Sequence, residues 1–485
     1  MSAVIQALPE LFSASVEAKV YSVAAREYTD TGPPDFYPQY TDSPESPPPH
    51  SYHFTPARFW TSGFFPGSLW LLYERVEVLG GTSGNVTADE WKRLAISWTK
   101  PLGEQASRTN THDMGFLFMP TFYKWMTLES EPAVVEQARS TFLCAAASLG
   151  SRYNPKIGCL RSWDQSNHLV NGVKREDMDK HFLVIIDNMM NLELLYAADY
   201  HSPSDTRTLS NIATTHALTT IANHFHPSGG TYHVLNYDQQ SSSPANPAIT
   251  KRWAHQGYGD ESVWGRGQAW ALYGFARSAE WSDVLTRRKR LGEEPEAPGQ
   301  ENKDVANLLE IQPHNAPFEG DERLLNQAVK AADFFVERLG DGLAAVPPWD
   351  FDCPNNPDGS LTFRDVSAAM IAASGMLTLH ALLRRHPKSS PPSPYLSHAL
   401  KIIRATVKYC STPEAGFTAG TSPTVNLGEG QWDTILNQAT INYNENAPWK
   451  KADCGLVYAD YYFLEVGNKL LEMERRGWIS STDLS

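Results

Sequence analysis

The chain has 485 residues, of which 41% are hydrophobic and 20% charged, a composition typical of a globular protein and not of a disordered one. Acidic residues outnumber lysine plus arginine by 55 to 41, so the formal net charge is −14. This balance argues against nucleic acid or an anionic membrane as the main partner, but it leaves open an anionic small substrate held by a local arginine or histidine.

Cysteine spacing and the N-terminal segment bear on the compartment. None of the five cysteines forms a CxxC pair, and the simplest interpretation is reduced thiols in a cytosolic protein. The first twenty residues lack a basic stretch followed by an apolar core, and no apolar run approaches the length of a membrane span. We therefore expect no signal peptide and a cytoplasmic location, while the oligomeric state stays open.

Amphipathic helices recur along the chain. In residues 323–339, for example, Leu324, Leu325, Val329 and Phe335 share one helical face and the charged side chains lie on the other. The same pattern predicts six such helices, at 10–28, 88–102, 131–149, 205–225, 323–339 and 395–410.

A second kind of segment alternates with the first and is apolar nearly all round, which is typical of a buried helix. Six of these occur, at 62–74, 112–125, 185–200, 264–281, 365–383 and 453–471. Six hairpins of an outer and an inner helix predict an all-α fold, an (α/α)6 barrel. We expect a single catalytic domain over 1–485, with a polar, mobile insertion around 286–322.

Polar residues cluster where the predicted inner helices begin, and parallel inner helices would bring these ends to one mouth. Asp113, Asp365 and Asp453 could equally be helix N-caps, which is the commoner use of such an aspartate. Asp187 differs because it lies inside the apolar run, between Ile186 and Asn188. Burial would raise the pKa of its carboxyl, as a general acid requires, whereas the structural alternative is a buried aspartate bonded to a cap or to Asn188.

Other chemistries find little support in the sequence. There is no HExxH motif, no clustered Cys/His spacing and no GxSxG elbow, so we predict no metal, no cofactor and no serine nucleophile. Asp350 and Asp352 lack the further ligands of a calcium loop. Arg266 could be a plain ion-pair partner of Asp260 or Glu261, and Trp270 could belong to the core.

Between about residues 58 and 472, the chain resembles the unsaturated glucuronyl hydrolases, glycoside hydrolase family 88. Seven motifs match in order: RFWTSGFFPGSLWLLYE, THDMGF, IIDNMMNLELLYAA, GTYHVLNYD, HQGYGDESVWGRGQAWALYGFA, PPWDFD and DYYFLE. The family fold is an (α/α)6 barrel. The resemblance implies that Asp187 is the general acid/base and Asp113 its partner. It also implies a uronate pocket made by Trp60, His233, Gln256, Arg266, Trp270 and Ser367.

In such enzymes the substrate is an oligosaccharide with a 4,5-unsaturated uronic acid at its non-reducing end, and the C4=C5 bond is hydrated without a cofactor. The chain departs from the family at Phe65, often Trp there, at Gly259 and Glu261, often Ser and Asp, and at Gly265, often Ala. Three alternatives stay open: a conventional inverting glycosidase, an unsaturated rhamnogalacturonyl hydrolase and a non-catalytic sugar-binding protein.

Overall fold

The computed structural model describes residues 2–27, 35–81, 84–170, 173–202, 207–241, 248–292, 316–386, 393–418 and 423–484. All six predicted outer helices are present within a few residues of their expected ends. They are Ala14–Glu27, Ala88–Thr99, Pro132–Gly150, Thr208–Asn223, Glu322–Glu337 and Tyr395–Cys410. Thr87 caps the second of them, since its hydroxyl accepts a hydrogen bond from the Glu90 amide.

The inner helices are equally close to prediction and form a closed ring. Their bounds are Phe64–Glu77, Met114–Leu128, Asn188–His201, Gly265–Leu291, Val366–Arg385 and Val457–Arg475. Each packs against the next, and the last packs against the first, which confirms the (α/α)6 barrel. The second is broken by a π-helical turn, Met119–Tyr123, because Pro120 cannot donate the backbone hydrogen bond that a regular helix needs.

Burial follows the predicted division between the two kinds of helix. In Val366–Arg385 nearly every residue is buried, from Val366 to Leu382. This helix is long and apolar enough to span a membrane, but it lies inside the barrel and is packed by its neighbours on both sides. Its hydrophobicity is therefore that of a core helix.

Short strands fill the connections at the mouth of the barrel, and one of them corrects a prediction. His181–Ile185 is a strand, paired antiparallel with Val234–Asp238, which in turn pairs with Ile249–Trp253. Asp187 thus lies at a strand-to-helix junction. The continuous apolar run had instead suggested a position within a helix. A five-residue buried strand that leads directly into a buried helix leaves no change in hydrophobicity to mark the boundary. The other strand pairs are Phe36–Tyr40 with His53–Pro56, Tyr153–Asn154 with Cys159–Leu160, Ser166–Val170 with Val173–Arg175, and Gly416–Thr418 with Thr424–Asn426.

The helix Gly265–Leu291 continues through the basic residues 287–290, at the start of the insertion expected around 286–322. Residues 293–315 lie outside the described residues, so this insertion stays a prediction. One further expectation is wrong. Asp453 does not cap the last inner helix. That helix begins at Val457 after Leu456, and Asp453 adopts a left-handed backbone conformation with φ of 51°.

Candidate active site

The N-terminal ends of the inner helices meet at one mouth, and the two candidate aspartates lie there together. Asp113 and Asp187 each occupy the residue immediately before an inner helix. These two helices approach closely where Gly115 faces Asn191, since a Cβ at Gly115 would lie 2.6 Å from the Asn191 Cα. The Phe116 amide donates to the Asn191 Oδ1 at 3.1 Å and fixes this contact. One helical turn away, the two carboxyls are close enough to interact electrostatically.

Asp187 is held in a largely desolvated position. Its side chain is 14% exposed, and its Oδ1 has no hydrogen-bond partner among the described residues. Burial raises the pKa of the Asp187 carboxyl from an ordinary 3.8 to about 7; the Arg266 charge opposes this shift and the Asp113 charge adds to it. The hydrogen bond to Asn188 that the structural alternative requires is not made, because the Asn188 side-chain amide donates instead to the Leu160 carbonyl. A carboxyl of this kind can carry a proton at neutral pH.

His233 directs one ring nitrogen at Asp187. Its Nδ1 accepts hydrogen bonds from the His255 and Gln256 amides, at 3.2 and 3.4 Å. Burial holds the pKa of His233 well below its usual range, so the ring is neutral and the single proton resides on Nε2. This Nε2 lies 3.9 Å from the Asp187 Oδ1. The Ile186 amide donates to the His233 carbonyl at 3.0 Å, which ties the turn carrying Asp187 to the neighbouring strand.

Asp113 is more accessible than Asp187, with its side chain 21% exposed. Its Oδ2 accepts a hydrogen bond from the Thr111 hydroxyl at 2.8 Å. The His112 Nδ1 donates to the Ser162 carbonyl, and burial lowers the pKa of His112, so the Nε2 of this neutral ring carries a lone pair. That lone pair lies 3.3 Å from the Asp113 Oδ1. Two acceptors side by side favour a hydroxyl donor between them.

Arg266 is an internal clamp and not a partner of Asp260 or Glu261. Its guanidinium is 1% exposed and bonds Asp365 at 2.5 Å, together with the Thr440 and Ile441 carbonyls at 2.6 and 2.7 Å. Asp365 also caps its helix by accepting a hydrogen bond from the Ser367 amide, and it accepts another from the Ser367 hydroxyl at 2.6 Å. Asp365 therefore serves as both a cap and a counter-charge, while Ser367 is fully buried beside it.

The two predicted tryptophans play different parts. Trp60 is half-buried, and its ring centroid lies 5.3 Å from that of Phe116 and 5.1 Å from that of Tyr458. Trp270 is fully buried, 5.1 Å from Phe116. Of the two indoles only Trp60 has surface to offer a sugar ring; Trp270 supports the aromatic layer from behind. The structural alternative for Trp270, a place in the core, is the one that the packing favours.

Gln256 and several unpredicted residues complete the mouth. The Gln256 Nε2 donates to the Ile441 carbonyl at 2.9 Å, so Gln256 and Arg266 share one backbone acceptor. Trp163, half-buried, lies 5.3 Å from the His255 ring and 6.4 Å from the His233 ring. The sequence analysis did not single out Trp163, because its half-buried position beside the strand His181–Ile185 is visible only in the structure.

No group of three or more histidine, cysteine, aspartate or glutamate side chains is arranged to hold a metal within the described ranges. Asp350 has a structural role: its Oδ2 accepts the Tyr258 amide at 2.8 Å and the Ser262 hydroxyl at 2.7 Å. It thereby fixes the loop that precedes the helix Gly265–Leu291.

Comparison with known proteins gives consistent relatives, although no family model matches the chain. The chain is 31% identical over 418 residues to an unsaturated glucuronyl hydrolase of Formosa agariphila, covering 86% of this chain and 81% of the relative. It is 25% identical over 411 residues to an unsaturated chondroitin disaccharide hydrolase of Streptococcus pneumoniae, covering 84% and 80%. A solved structure of an unsaturated glucuronyl hydrolase specific for heparin matches with a TM-score of 0.68 and 28% identity, over 96% of this chain and 98% of the other.

Proposed function

This chain belongs to the unsaturated glucuronyl hydrolase family, and we propose that Asp187 and Asp113 perform its reaction. The enzyme releases 4,5-unsaturated glucuronic acid from the non-reducing end of oligosaccharides that a polysaccharide lyase has produced, and it does so by hydrating the C4=C5 double bond. The observation that carries the assignment of roles is the desolvated Asp187 carboxyl, because a pKa of about 7 keeps a proton available at neutral pH.

In the proposed mechanism, Asp187 donates its proton to C4 of the ring. Water adds its oxygen to C5, and the Asp187 carboxylate accepts the proton that this water loses. The resulting hemiketal opens when the bond between C5 and the ring oxygen breaks, leaving a ketone at C5. The hemiacetal at C1 then collapses to an aldehyde and releases the shortened sugar. Asp187 ends the cycle protonated, so atoms and charges balance.

The neighbours of Asp187 match the charge changes of this cycle. When Asp187 gives up its proton, the His233 Nε2–H at 3.9 Å and the Arg266 charge favour the new carboxylate. Since Asp365 pairs with Arg266, the guanidinium moderates the pKa of Asp187 without abolishing its elevation. His233 and Arg266 therefore tune the acid, so that it can both give and recover a proton.

Asp113 and His112 are proposed to hold substrate hydroxyls. The Asp113 Oδ1 and the lone pair of the His112 Nε2 lie 3.3 Å apart, and no described donor lies between them. Sugar hydroxyls are suitable donors for such a pair. Trp60 presents an indole face to the apolar C–H surface of a pyranose ring, with Trp270 as its buried support.

The experiment uses unsaturated disaccharides prepared from heparin and from chondroitin with their lyases, because the names of two relatives refer to chondroitin and to heparin. Loss of the ultraviolet absorbance of C4=C5 is followed for wild type, for Asp187→Asn and for Asp260→Asn. Asp260 is a matched control, since it is a surface aspartate 46% exposed and paired with Lys251. Turnover by wild type and Asp260→Asn but not by Asp187→Asn supports the proposal.

The alternatives predict different results. A conventional glycosidase would release free sugar before absorbance falls and would act on saturated glycosides. A non-catalytic sugar-binding protein would bind the disaccharides without turnover. The relatives described above favour glucuronyl over rhamnogalacturonyl substrates, since their names are those of glucuronyl or chondroitin disaccharide hydrolases.

We also propose a cytoplasmic location and a single catalytic domain over 1–485. All five cysteines are unpaired, and Cys159, Cys410 and Cys454 are buried, which suits a reducing compartment. The two ends of the described chain contact helices of the barrel, since the Ser2 hydroxyl donates to Glu474 and the Arg404 guanidinium donates to the Leu484 carbonyl. Cell fractionation tests the first proposal, and limited proteolysis that yields one resistant core tests the second.

A further inference from the structure

An exposed aromatic patch lies beside the mouth of the barrel. Tyr443, Phe363 and Tyr258 are 38%, 39% and 49% exposed, whereas Trp349 beneath them is buried. The Tyr443 ring lies 4.7 Å from Phe363 and 5.9 Å from Trp349, and the Tyr258 ring lies 6.4 Å from Trp349. Large aromatic side chains that are exposed together indicate a binding surface.

The patch is joined to the segment around Gln256 by hydrogen bonds from side-chain amides to backbone carbonyls. Asn442 and Asn444, on either side of Tyr443, donate to the His255 carbonyl at 3.3 Å and to the Gly257 carbonyl at 2.5 Å. These two carbonyls flank Gln256, whose own side chain reaches the Ile441 carbonyl. Three hydrogen bonds therefore fix the segment that carries Tyr443 beside Gln256, which is one of the residues expected to form the uronate pocket.

The chemistry of the substrate decides what can cover this patch. The unsaturated ring is the non-reducing terminus, so every other sugar is attached through its C1 and must leave the pocket across the rim. Sugar rings present C–H faces that pack on aromatic rings. The Lys450 Nζ, on an exposed side chain, lies 5.5 Å from the centre of the Tyr443 ring and complements the carboxylate or sulfate groups of an acidic oligosaccharide.

We propose that Tyr443, Phe363 and Tyr258 form a subsite for the sugar rings beyond the one bonded to the unsaturated uronate, so that the enzyme prefers acidic oligosaccharides longer than a disaccharide. This inference rests on the proposed function and extends it. The patch is hydrogen-bonded to the segment that carries Gln256, its aromatic rings suit sugar faces, and Lys450 suits an acidic group of the chain.

The test compares kcat/KM for an unsaturated disaccharide and the matching tetrasaccharide from one lyase digest. Wild type is expected to have a kcat/KM about three- to tenfold higher for the tetrasaccharide, which is the contribution expected of one or two aromatic contacts. Tyr443→Ala and Phe363→Ala should each erase most of this preference and leave disaccharide turnover within about twofold. Tyr443→Phe should keep it, and so should Tyr409→Ala, since Tyr409 is 37% exposed on an outer helix.

Each other outcome has a definite meaning. No turnover of either substrate by wild type overturns the proposed function itself. Equal efficiency on both substrates, or equal losses on both in Tyr443→Ala, overturns the subsite alone. A dimer in sedimentation velocity that Tyr443→Ala dissociates would assign the patch to a second copy of the chain and overturn the subsite as well.

Discussion

Replacing Asp187 with asparagine should abolish turnover. It should also make the protein more stable relative to wild type, by an amount that grows as the pH rises. Asparagine keeps the shape of the side chain but does not titrate. Burial raises the pKa of Asp187 from an ordinary 3.8 to about 7, so between these values the folded state holds a proton that the unfolded chain has lost. The folded state then binds more protons than the unfolded state, and stability falls as pH rises through this window.

The size of the effect follows from the two pKa values. At 1.36 kcal/mol per pH unit, a rise from 3.8 to about 7 destabilises the wild type by about 4 kcal/mol above pH 7, of which about 3 kcal/mol accrues between pH 5 and 7. An unfolding entropy of about 2.1 cal/mol/K per residue gives about 1 kcal/mol/K for this chain. The Tm of Asp187→Asn relative to wild type should therefore rise by about 3 °C from pH 5 to pH 8.

Differential scanning calorimetry at pH 5, 6, 7 and 8 measures this difference. Asp460 also has a burial-raised pKa of about 7, but it is present in both proteins and cancels in the comparison. Asp260→Asn is the matched control for the same change of residue at an exposed site. A Tm difference between Asp187→Asn and wild type that is the same at all four pH values would refute the claim that the fold holds this proton.

Three further predictions concern the rest of the site. In pH–rate profiles of wild type, kcat/KM should fall above about pH 7. In Asp113→Asn the residual activity should begin to fall at a lower pH, because the Asp113 charge raises the pKa of Asp187. If the alkaline limb of the profile does not move, the two carboxyls are uncoupled. Arg266→Met should lower the free energy of unfolding by about 3–5 kcal/mol, because it leaves Asp365 buried without its counter-charge, and urea titration showing a loss below 1 kcal/mol would contradict the clamp. Gly265→Ala should lower kcat/KM, because the new Cβ would overlap the Pro348 carbonyl and displace the start of the helix. Gly259→Ser should leave kcat/KM nearly unchanged, because Gly259 faces open space, and equal effects of the two changes would disprove the steric argument.

The architecture was predictable because two kinds of hydrophobic pattern alternate along the chain. The outer helix Glu322–Glu337 buries one face, while the inner helix Val366–Arg385 buries nearly all of its residues. This contrast distinguishes helix layers without any knowledge of contacts. It fails where a strand is short and fully buried, as in His181–Ile185, because such a strand has no alternation to reveal.

The site could be predicted only in part. Asp113 and Asp187 were singled out through their motifs, and the interaction between them follows from parallel inner helices. The Arg266 clamp was not foreseen, because Asp365 is 99 residues away and the Thr440 and Ile441 groups are backbone carbonyls, which leave no trace in the side-chain sequence. The burial of Trp270 likewise depends on packing among three helices.

In the proposed mechanism, Asp187 protonates C4 of the double bond that water hydrates, and it does not protonate the leaving oxygen of the glycosidic bond. The most direct measurement records the absorbance of C4=C5 and the release of free sugar in the same reaction with an unsaturated disaccharide. If Asp187 acts in this way, the absorbance falls no later than free sugar appears, and Asp187→Asn abolishes both signals. Release of sugar ahead of the loss of absorbance, or turnover that survives in Asp187→Asn, would contradict it.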